Sequence, residues 1–415
     1  MSRWLYRALL YCAFPFIFLY LLKRSKRQPA YRQHWLERLG FYRSSPNQAP
    51  LIWLHAVSVG ETRAAAPLFA ELKAQYPKHR FLITCMTPTG RATAQELFAE
   101  QAEIAYLPYD YPSAVGRFLK HYQPQFGLLM ETEIWPNLIH CCAEHDIPLF
   151  LANARLSEKS LKGYQKIKYL VQPAVARLAG VLAQSQQDAA RLQQLGSVHT
   201  AIVGNIKFDN LPNENAILQG KNWRAAIGRS KVLLLASSRD GEEALILDAL
   251  TDWPADLLLI IVPRHPQRFA SVEQLLADRG LALLKRSEWD EKSIPSGVQV
   301  LLGDSMGEMT RYYAASDLAI IGGSILPFGS QNLIEACAIA TPVLLGPSTY
   351  NFTEAAQAAL ANHAAWQGQD AISIIAQAQY LLAHPKVSRA MGEAGLVFAA
   401  THRGATQRLL SYLPK

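Results

Sequence analysis

The chain has 415 residues, 50% hydrophobic and 18% charged, a globular composition long enough for two domains. Its formal net charge is +8, yet residues 1–43 hold nine Lys/Arg against a single acid, Glu37, and account for the whole excess. A nucleic-acid-binding surface spreads positive charge over folded domains. Here the charge collects beside one apolar segment, so no nucleic-acid partner is expected.

That segment, Trp4 to Leu22, reads WLYRALLYCAFPFIFLYLL and carries one charge, Arg7. As a helix it is about 28 Å long, near the roughly 30 Å of a bilayer's hydrocarbon core. Arg7 lies near its start, where a long side chain reaches the interface. The basic cluster Lys23-Arg24-Ser25-Lys26-Arg27 follows directly. Positive charge after the apolar run keeps the following domains cytoplasmic and argues against a cleaved signal peptide. The expectation is a spanning anchor over residues 1–22; a helix lying in the interface is the alternative. The five cysteines, Cys12, Cys85, Cys141, Cys142 and Cys337, are odd in number and irregular in spacing, which reads as reduced cytoplasmic thiols. His140-Cys141-Cys142 with His145 lacks a second ligand pair at zinc spacing.

Short apolar runs then alternate with amphipathic helical stretches. The first series is 51–57, 81–86, 104–108, 126–130, 148–153, 180–185 and 200–205. A second is 232–238, 257–263, 281–286, 298–304, 318–324 and 341–346. Continuously apolar strands separated by helices predict parallel sheets covered on both faces. Two such series predict two doubly wound, Rossmann-like α/β domains, 23–210 and 211–415, with the boundary in the polar stretch 211–229. From about Pro385 the pattern is helical, and the last helix is expected to pack back on the first domain.

Ligands of open α/β sheets bind beyond the carboxyl ends of the strands, and polar clusters gather there. His55 to Arg63 ends a strand, turns at Gly60 and opens a helix. Its Glu61 is either a first-turn helix carboxylate or a general base toward a sugar hydroxyl. Met130-Glu131-Thr132-Glu133-Ile134-Trp135 places two carboxylates beside an aromatic. Arg155, with Lys159, Lys162, Lys166 and Lys168, suits an acidic acceptor or a solvated face. Lys207 either stabilises charge or pairs with Asp209. In the second series, Pro263-Arg264 offers a planar donor fork for an anion, and Met306-Gly307-Glu308 forms a turn. Gly322-Gly323-Ser324 lets a phosphate approach backbone N–H groups. Asn332-Leu333-Ile334-Glu335 opens a helix, with Glu335 placed to hold ribose hydroxyls. No G-x-G-x-x-G follows the first strand, no G-x-x-x-x-G-K-[ST] occurs, and no D-x-D follows a strand. Neither a resident cofactor nor a catalytic metal is expected.

Taken together, SVGE (58–61), METEIWPN (130–137), NARLSEKS (153–160), GNIKFD (204–209), PRHPQRF (263–269), DSMGEM (304–309) and GGS…GSQNLIEA (322–336) closely resemble the 3-deoxy-D-manno-octulosonic-acid (Kdo) transferases. The resemblance covers nearly the whole chain, including the apolar segment and its basic collar. It implies a GT-B fold, two Rossmann-like domains facing a cleft, with an acceptor-binding first domain and a donor-binding second. It implies inverting, metal-independent transfer of Kdo from CMP-Kdo to a lipid A precursor, lipid IVA. CMP is released, at the cytoplasmic face of the inner membrane among its anionic lipids. By motif, Glu61 would be the proton acceptor, and Glu131 and Lys207 the transition-state stabilisers. CMP would be bound by Pro263, Arg264, Met306, Gly307, Glu308, Asn332, Leu333, Ile334 and Glu335. The chain departs from the family pattern at Asn-Leu-Ile-Glu, where Asn-Pro-Leu-Glu is expected, and at Gly-Ser-Gln, where Gly-Gly-Gln is expected. The alternatives are another GT-B enzyme with a different nucleotide sugar, a sugar-nucleotide epimerase, and a non-catalytic lipid-binding protein. The apolar segment argues against the epimerase, and the retention of Glu61, Arg264 and Glu335 against the last.

Overall fold

The structure, a computed structural model, describes residues 1–26, 28–43, 49–251 and 253–414; Arg27 of the basic cluster lies outside them. The chain divides into two compact units, Met1–Asn210 together with Arg403–Lys415, and Leu211–His402.

The first unit is built on a parallel sheet of seven strands. These are β1 (Leu51–His55), β2 (Arg80–Cys85), β3 (Glu103–Tyr106), β4 (Pro124–Met130), β5 (Leu149–Ala154), β6 (Gly180–Ala183) and β7 (Thr200–Ile202), in the order β3-β2-β1-β4-β5-β6-β7. All five residues of β1 are buried, as expected of a strand covered by helices on both faces. One face packs Trp53, Leu82, Phe118 and Leu151, and the other Ile52, Leu54, Leu68 and Phe126. Odd and even positions of the same strand thus feed two separate cores. The chain's end closes the second of these: Ala405, Leu409, Leu410 and Leu413 pack with Leu68 and Val203. Asp209 fixes the start of that closing helix by accepting from the amides of Gly404 and Thr406, both at 2.6 Å.

The second unit repeats the plan with β8 (Lys231–Ser238), β9 (Leu257–Pro263), β10 (Leu283–Lys285), β11 (Val300–Leu302), β12 (Leu318–Ile321), β13 (Val343–Leu345) and β14 (Ala365–Gln367). Its order is β10-β11-β9-β8-β12-β13-β14, again all parallel. β14 has no counterpart among the apolar runs of the sequence. The polar stretch after residue 211 is a helix, Glu214–Ile227, capped by the Asn213 side chain and holding Trp223 against the unit.

In each sheet the chain reverses direction of winding at one place: between β1 and β4, and between β8 and β12. Connections leave these neighbouring strands to opposite sides, and the carboxyl ends of strands at such a reversal are where open α/β sheets bind ligands. That topology sets where the polar loops converge in each unit.

The Trp4–Leu22 segment is helical throughout, within Arg3–Ser25, and is long and apolar enough to cross a membrane.

Candidate active site

In the first unit the loops after β1 and β4 carry Glu61 and Glu131. Ser58 caps the helix Val59–Ala64, and Glu61 stands in its first turn. The Glu61 carboxylate turns back over the cap. Oε2 accepts from the Val57 amide at 2.8 Å and Oε1 from the Ser58 hydroxyl at 3.0 Å. Two donors stabilise its ionised form, yet burial and then the nearby Glu131 charge outweigh them and push its pKa up to about 7.

Glu131 is treated oppositely. Burial alone would raise its pKa, but Lys207 outweighs that and holds it below the ordinary carboxylate value. Lys207 Nζ donates to Glu131 Oε1 at 2.9 Å, and both side chains are largely buried. The Arg155 charge acts in the same direction. Lys207 is presented by a single 3-10 turn, Ile206–Asp209, whose start is fixed by the Asn205 side chain. Lys207 does not pair with Asp209, the partner that the sequence offers, because Asp209 is committed to capping the closing helix. Glu131 adopts a left-handed backbone, φ +57°, as does Asn153 on the adjoining strand end, φ +52°. For residues other than glycine this costs about 1–3 kcal/mol each and concentrates at functional sites. The Asn153 side chain is spent on structure, its Oδ1 accepting from the Ile206 amide at 3.1 Å and so aligning the Lys207 turn.

His55 is fully buried at the end of β1. Its Nδ1 faces Thr84, 2.8 Å from the hydroxyl and 3.1 Å from the carbonyl, and among the described residues its Nε2 has no partner. Burial lowers its pKa to about 3, so the ring is neutral at physiological pH. The Trp135 ring stands edge-on to it, 6.4 Å between centroids, and donates its indole N–H to Glu133 at 2.7 Å. Burial raises the Glu133 pKa, with the Glu131 charge adding to it against that hydrogen bond. The His140 and His145 rings each give Nδ1 to a backbone carbonyl at 2.8 Å, Pro136 and Cys141 respectively.

In the second unit the loops after β8 and β12 meet. Gly322 has no room for a side chain: a Cβ there would lie 2.5 Å from the Ser237 carbonyl oxygen. Gly323, at φ +69°, turns the chain sharply. The turn is held by Glu242, fully buried, whose carboxylate accepts from the amides of Arg239 (2.8 Å), Gly323 (2.6 Å), Ile325 (3.0 Å) and Leu326 (3.2 Å). Its neighbour Glu243, also fully buried, is gripped by both guanidinium nitrogens of Arg268 at 2.6 and 2.9 Å. Arg239 lies over the Phe328 ring, 4.8 Å from its centroid, and meets His265 at 2.9 Å. Burial and the charges of Arg239, Arg264 and Arg268 together lower the His265 pKa. Three arginines around one partly exposed imidazole make an anion-attracting corner beside the Gly-Gly turn.

The remaining residues singled out in the sequence fall into two groups. Asn332 donates to Glu335 at 2.9 Å and accepts from the Ile334 amide at 3.1 Å, which fixes the Glu335 carboxylate at the start of the short helix Ile334–Cys337. Leu333 and Ile334 are buried in the core, and Pro263 is the buried last residue of β9, so these three offer a ligand only backbone. Met306 is exposed, and Gly307 takes a left-handed turn at φ +81°. The Glu308 carboxylate is tied to Arg286, Arg311 and the Ser305 hydroxyl. The sequence reading passes over Arg239, Glu242 and Glu243. Their signal is the Ser-Arg-Asp-Gly-Glu-Glu that ends the apolar run of β8, a strand end as polar as the ones it singled out.

Residues 33–210 match the family model described as 3-deoxy-D-manno-octulosonic-acid transferase. A 3-deoxy-D-manno-octulosonic acid transferase from Bordetella pertussis is 41% identical, covering 100% of this chain and 99% of the relative. Another from Haemophilus influenzae is 36% identical, covering 100% and 98%. Among solved structures, a glycosyltransferase from Rickettsia africae superposes with a TM-score of 0.59 at 14% identity, over 88% of this chain and 97% of that one. A UDP-GlcNAc 2-epimerase from Neisseria meningitidis gives 0.60 at 16% identity, over 88% and 99%. The structural likenesses establish the GT-B-type architecture and do not separate transferase from epimerase. The full-length sequence matches do separate them, and the chain belongs to the 3-deoxy-D-manno-octulosonic-acid transferases, a family of glycosyltransferases.

Proposed function

We propose that this chain transfers Kdo from CMP-Kdo to a sugar hydroxyl of a lipid A precursor, lipid IVA, with inversion at the anomeric carbon and release of CMP. What supports this reading is the family membership together with two carboxylates at the winding reversal of the first sheet: Glu61 held by the Val57 amide and the Ser58 hydroxyl, and Glu131 paired with Lys207, their surroundings pushing the two pKa values in opposite directions. Two carboxylates pushed in opposite directions are the mark of divided acid–base labour. With a pKa of about 7, Glu61 is both deprotonated often enough and basic enough to take an alcohol proton near neutrality.

In this mechanism the acceptor oxygen forms its bond to the Kdo anomeric carbon as its proton passes to Glu61. The bond from that carbon to the CMP phosphate oxygen breaks on the opposite face, and CMP leaves with the electron pair. Positive charge developing on the sugar meets the ionised Glu131, and Lys207 keeps that carboxylate charged and aimed. The donor's anionic groups suit the arginine corner of Arg239, Arg264 and Arg268. The Gly322-Gly323 turn gives backbone access, and Glu335 a ribose partner. Pro263, Met306, Gly307, Glu308, Asn332, Leu333 and Ile334 complete the CMP contacts, several through backbone alone. CMP is a good leaving group, so base and positioning supply most of the acceleration, and the chemistry needs no metal. The N-terminal segment holds the enzyme at the cytoplasmic face of the inner membrane, among the anionic lipids where the acceptor resides.

The test is incubation of the full-length protein with CMP-Kdo, generated in situ, and tetraacylated lipid A precursor, followed by product mass. The expected result is mass steps of one Kdo unit. Tight CMP binding without product would discard the acceptor, and preference for UDP or GDP over CMP in competition would discard the donor.

A further inference from the structure

The N-terminal helix, Arg3–Ser25, turns polar side chains inward at its start and leaves a row of large apolar side chains exposed along its length. In its first two turns the side against the first unit carries polar residues. Arg3 pairs with Glu144 at 3.1 Å, the Tyr6 hydroxyl donates to the buried Asp110 at 3.0 Å, and Arg7 donates to Asn137 at 3.0 Å. These recur at the three- and four-residue intervals of one helix face. Further along the same face, the Phe18 ring packs on Trp35 at 5.5 Å, Leu21 is buried, and Ser25 accepts from Arg32 at 3.0 Å. The opposite face is apolar over its length: Trp4, Leu5, Leu9, Phe16, Leu19 and Leu22 are all exposed, from 43% for Leu22 to 79% for Trp4.

A spanning helix has its two ends on opposite sides of about 30 Å of hydrocarbon. Here both ends touch the same compact unit. At the starting end the contacts run to Asp110, which also caps the helix Pro136–Glu144 through the amides of Asn137 and Leu138 at 3.0 and 2.7 Å. Carrying Arg3 across a bilayer would break those contacts or carry that helix and the half-exposed Glu144 into hydrocarbon with it. Laid flat, the same helix keeps every contact and buries its apolar face. The exposed Lys23, Arg24, Lys26 and Arg32 then stand at its end, facing the headgroups.

We infer that the N-terminal helix lies flat in the headgroup boundary of an anionic bilayer, with lipid covering its Trp4–Leu22 face and both of its ends on the same side of the membrane. This rests on the membrane placement proposed above and replaces a spanning anchor with an in-plane one. Cys12 is the exposed native thiol, and the other four are buried. Two single-cysteine reporters, Ser2→Cys and Lys26→Cys, are therefore made in a Cys12→Ser background. The full-length proteins are added to preformed vesicles of zwitterionic and anionic phospholipid, and labelled with a membrane-impermeant maleimide. The expected result is equal labelling of the two positions without detergent. Labelling of Lys26→Cys alone, with Ser2→Cys reacting only after detergent, would overturn the in-plane helix and leave the membrane placement and the transfer reaction standing. Failure of the unlabelled protein to sediment with anionic vesicles would overturn the membrane placement as well, and would leave transfer measured in detergent untouched.

Discussion

Each unit places two glutamates at the winding reversal of its sheet, and it uses them in opposite ways. In the second unit Glu242 and Glu243 are fully buried and fully engaged, one by four backbone amides and the other by a two-pronged Arg268 contact. They build the Gly-Gly turn and orient the arginines around it. In the first unit Glu61 and Glu131 are partly exposed, the Glu131 charge helps to raise Glu61, and the two are driven apart in proton affinity. A carboxylate with every lone pair satisfied is scaffolding. One that is under-compensated retains free energy for chemistry, at some expense in stability.

The strongest way to break this comparison is to remove one charge from each unit. Glu61→Gln keeps the size and an accepting oxygen for the Val57 amide but abolishes the base. Transfer should fall about 10²–10⁴-fold, read as initial rate with saturating acceptor, while CMP affinity by calorimetry stays at its wild-type value. Near-normal turnover would remove Glu61 from the mechanism. Glu243→Ala should act conversely. Among the described residues it leaves the partly buried Arg268 with the exposed Asp240 as its remaining ion-pair partner. Breaking such a pair costs about 3–5 kcal/mol, which urea unfolding of the full-length protein would register, with CMP affinity falling because the arginine corner loses its brace. If stability is unchanged, Glu243 is not scaffolding.

Gly322→Ala tests the turn more finely. The new methyl would meet the Ser237 carbonyl oxygen at 2.5 Å and the Ser238 Cα at 2.6 Å, both backbone atoms that cannot swing aside. A cost of about 1–3 kcal/mol is expected, with weaker CMP binding and little change in the pH dependence of transfer. Gly307→Ala is the control. No atom lies within 4 Å of its Cβ position, so only the left-handed backbone, φ +81°, opposes it. Its smaller cost, about 1 kcal/mol, would separate space from backbone conformation.

Much of this was open to reading in the sequence, for a definite reason. Strands buried on both faces are continuous apolar runs, so β1, β4, β8 and β9 announce themselves, and the polar residue that follows each is by topology at a carboxyl end. β14, Ala365–Gln367, escapes because its apolar residues, Ala364-Ala365-Trp366, stand isolated between Asn362-His363 and Gln367-Gly368-Gln369-Asp370. Whether Lys207 pairs with Asp209 is not legible locally, because the closing helix nearly 200 residues later claims Asp209. The left-handed backbone of Glu131 and the burial that raises Glu61 are likewise tertiary facts: nothing in SVGE or METE specifies them. Glu242 and Glu243 do not stand out in the sequence, because an acidic pair after a strand ordinarily means a solvated helix start.

The finest test of the contrast is the pH dependence of transfer. Glu61 must be ionised to accept a proton, so kcat/KM should fall as pH drops through about 7, the folded-state value of that carboxyl. Burial is the larger cause of that value and the Glu131 charge the next. Glu131→Gln should therefore move the acid limb of the residual activity to lower pH without restoring an ordinary carboxylate value. Stability should show the reverse sign. The Glu61 pKa is raised on folding, so between about 4.5 and 7 the native state binds more protons than the unfolded chain. The Glu61 contribution to stability is therefore greatest at low pH and declines as pH rises through that window. Melting curves of wild type and Glu61→Gln should accordingly differ most in the variant's favour above pH 7 and converge toward pH 5. An acid limb that stays in place in Glu131→Gln would mean that the two carboxylates do not share a field, and melting curves that diverge toward low pH would mean that folding does not raise the Glu61 pKa.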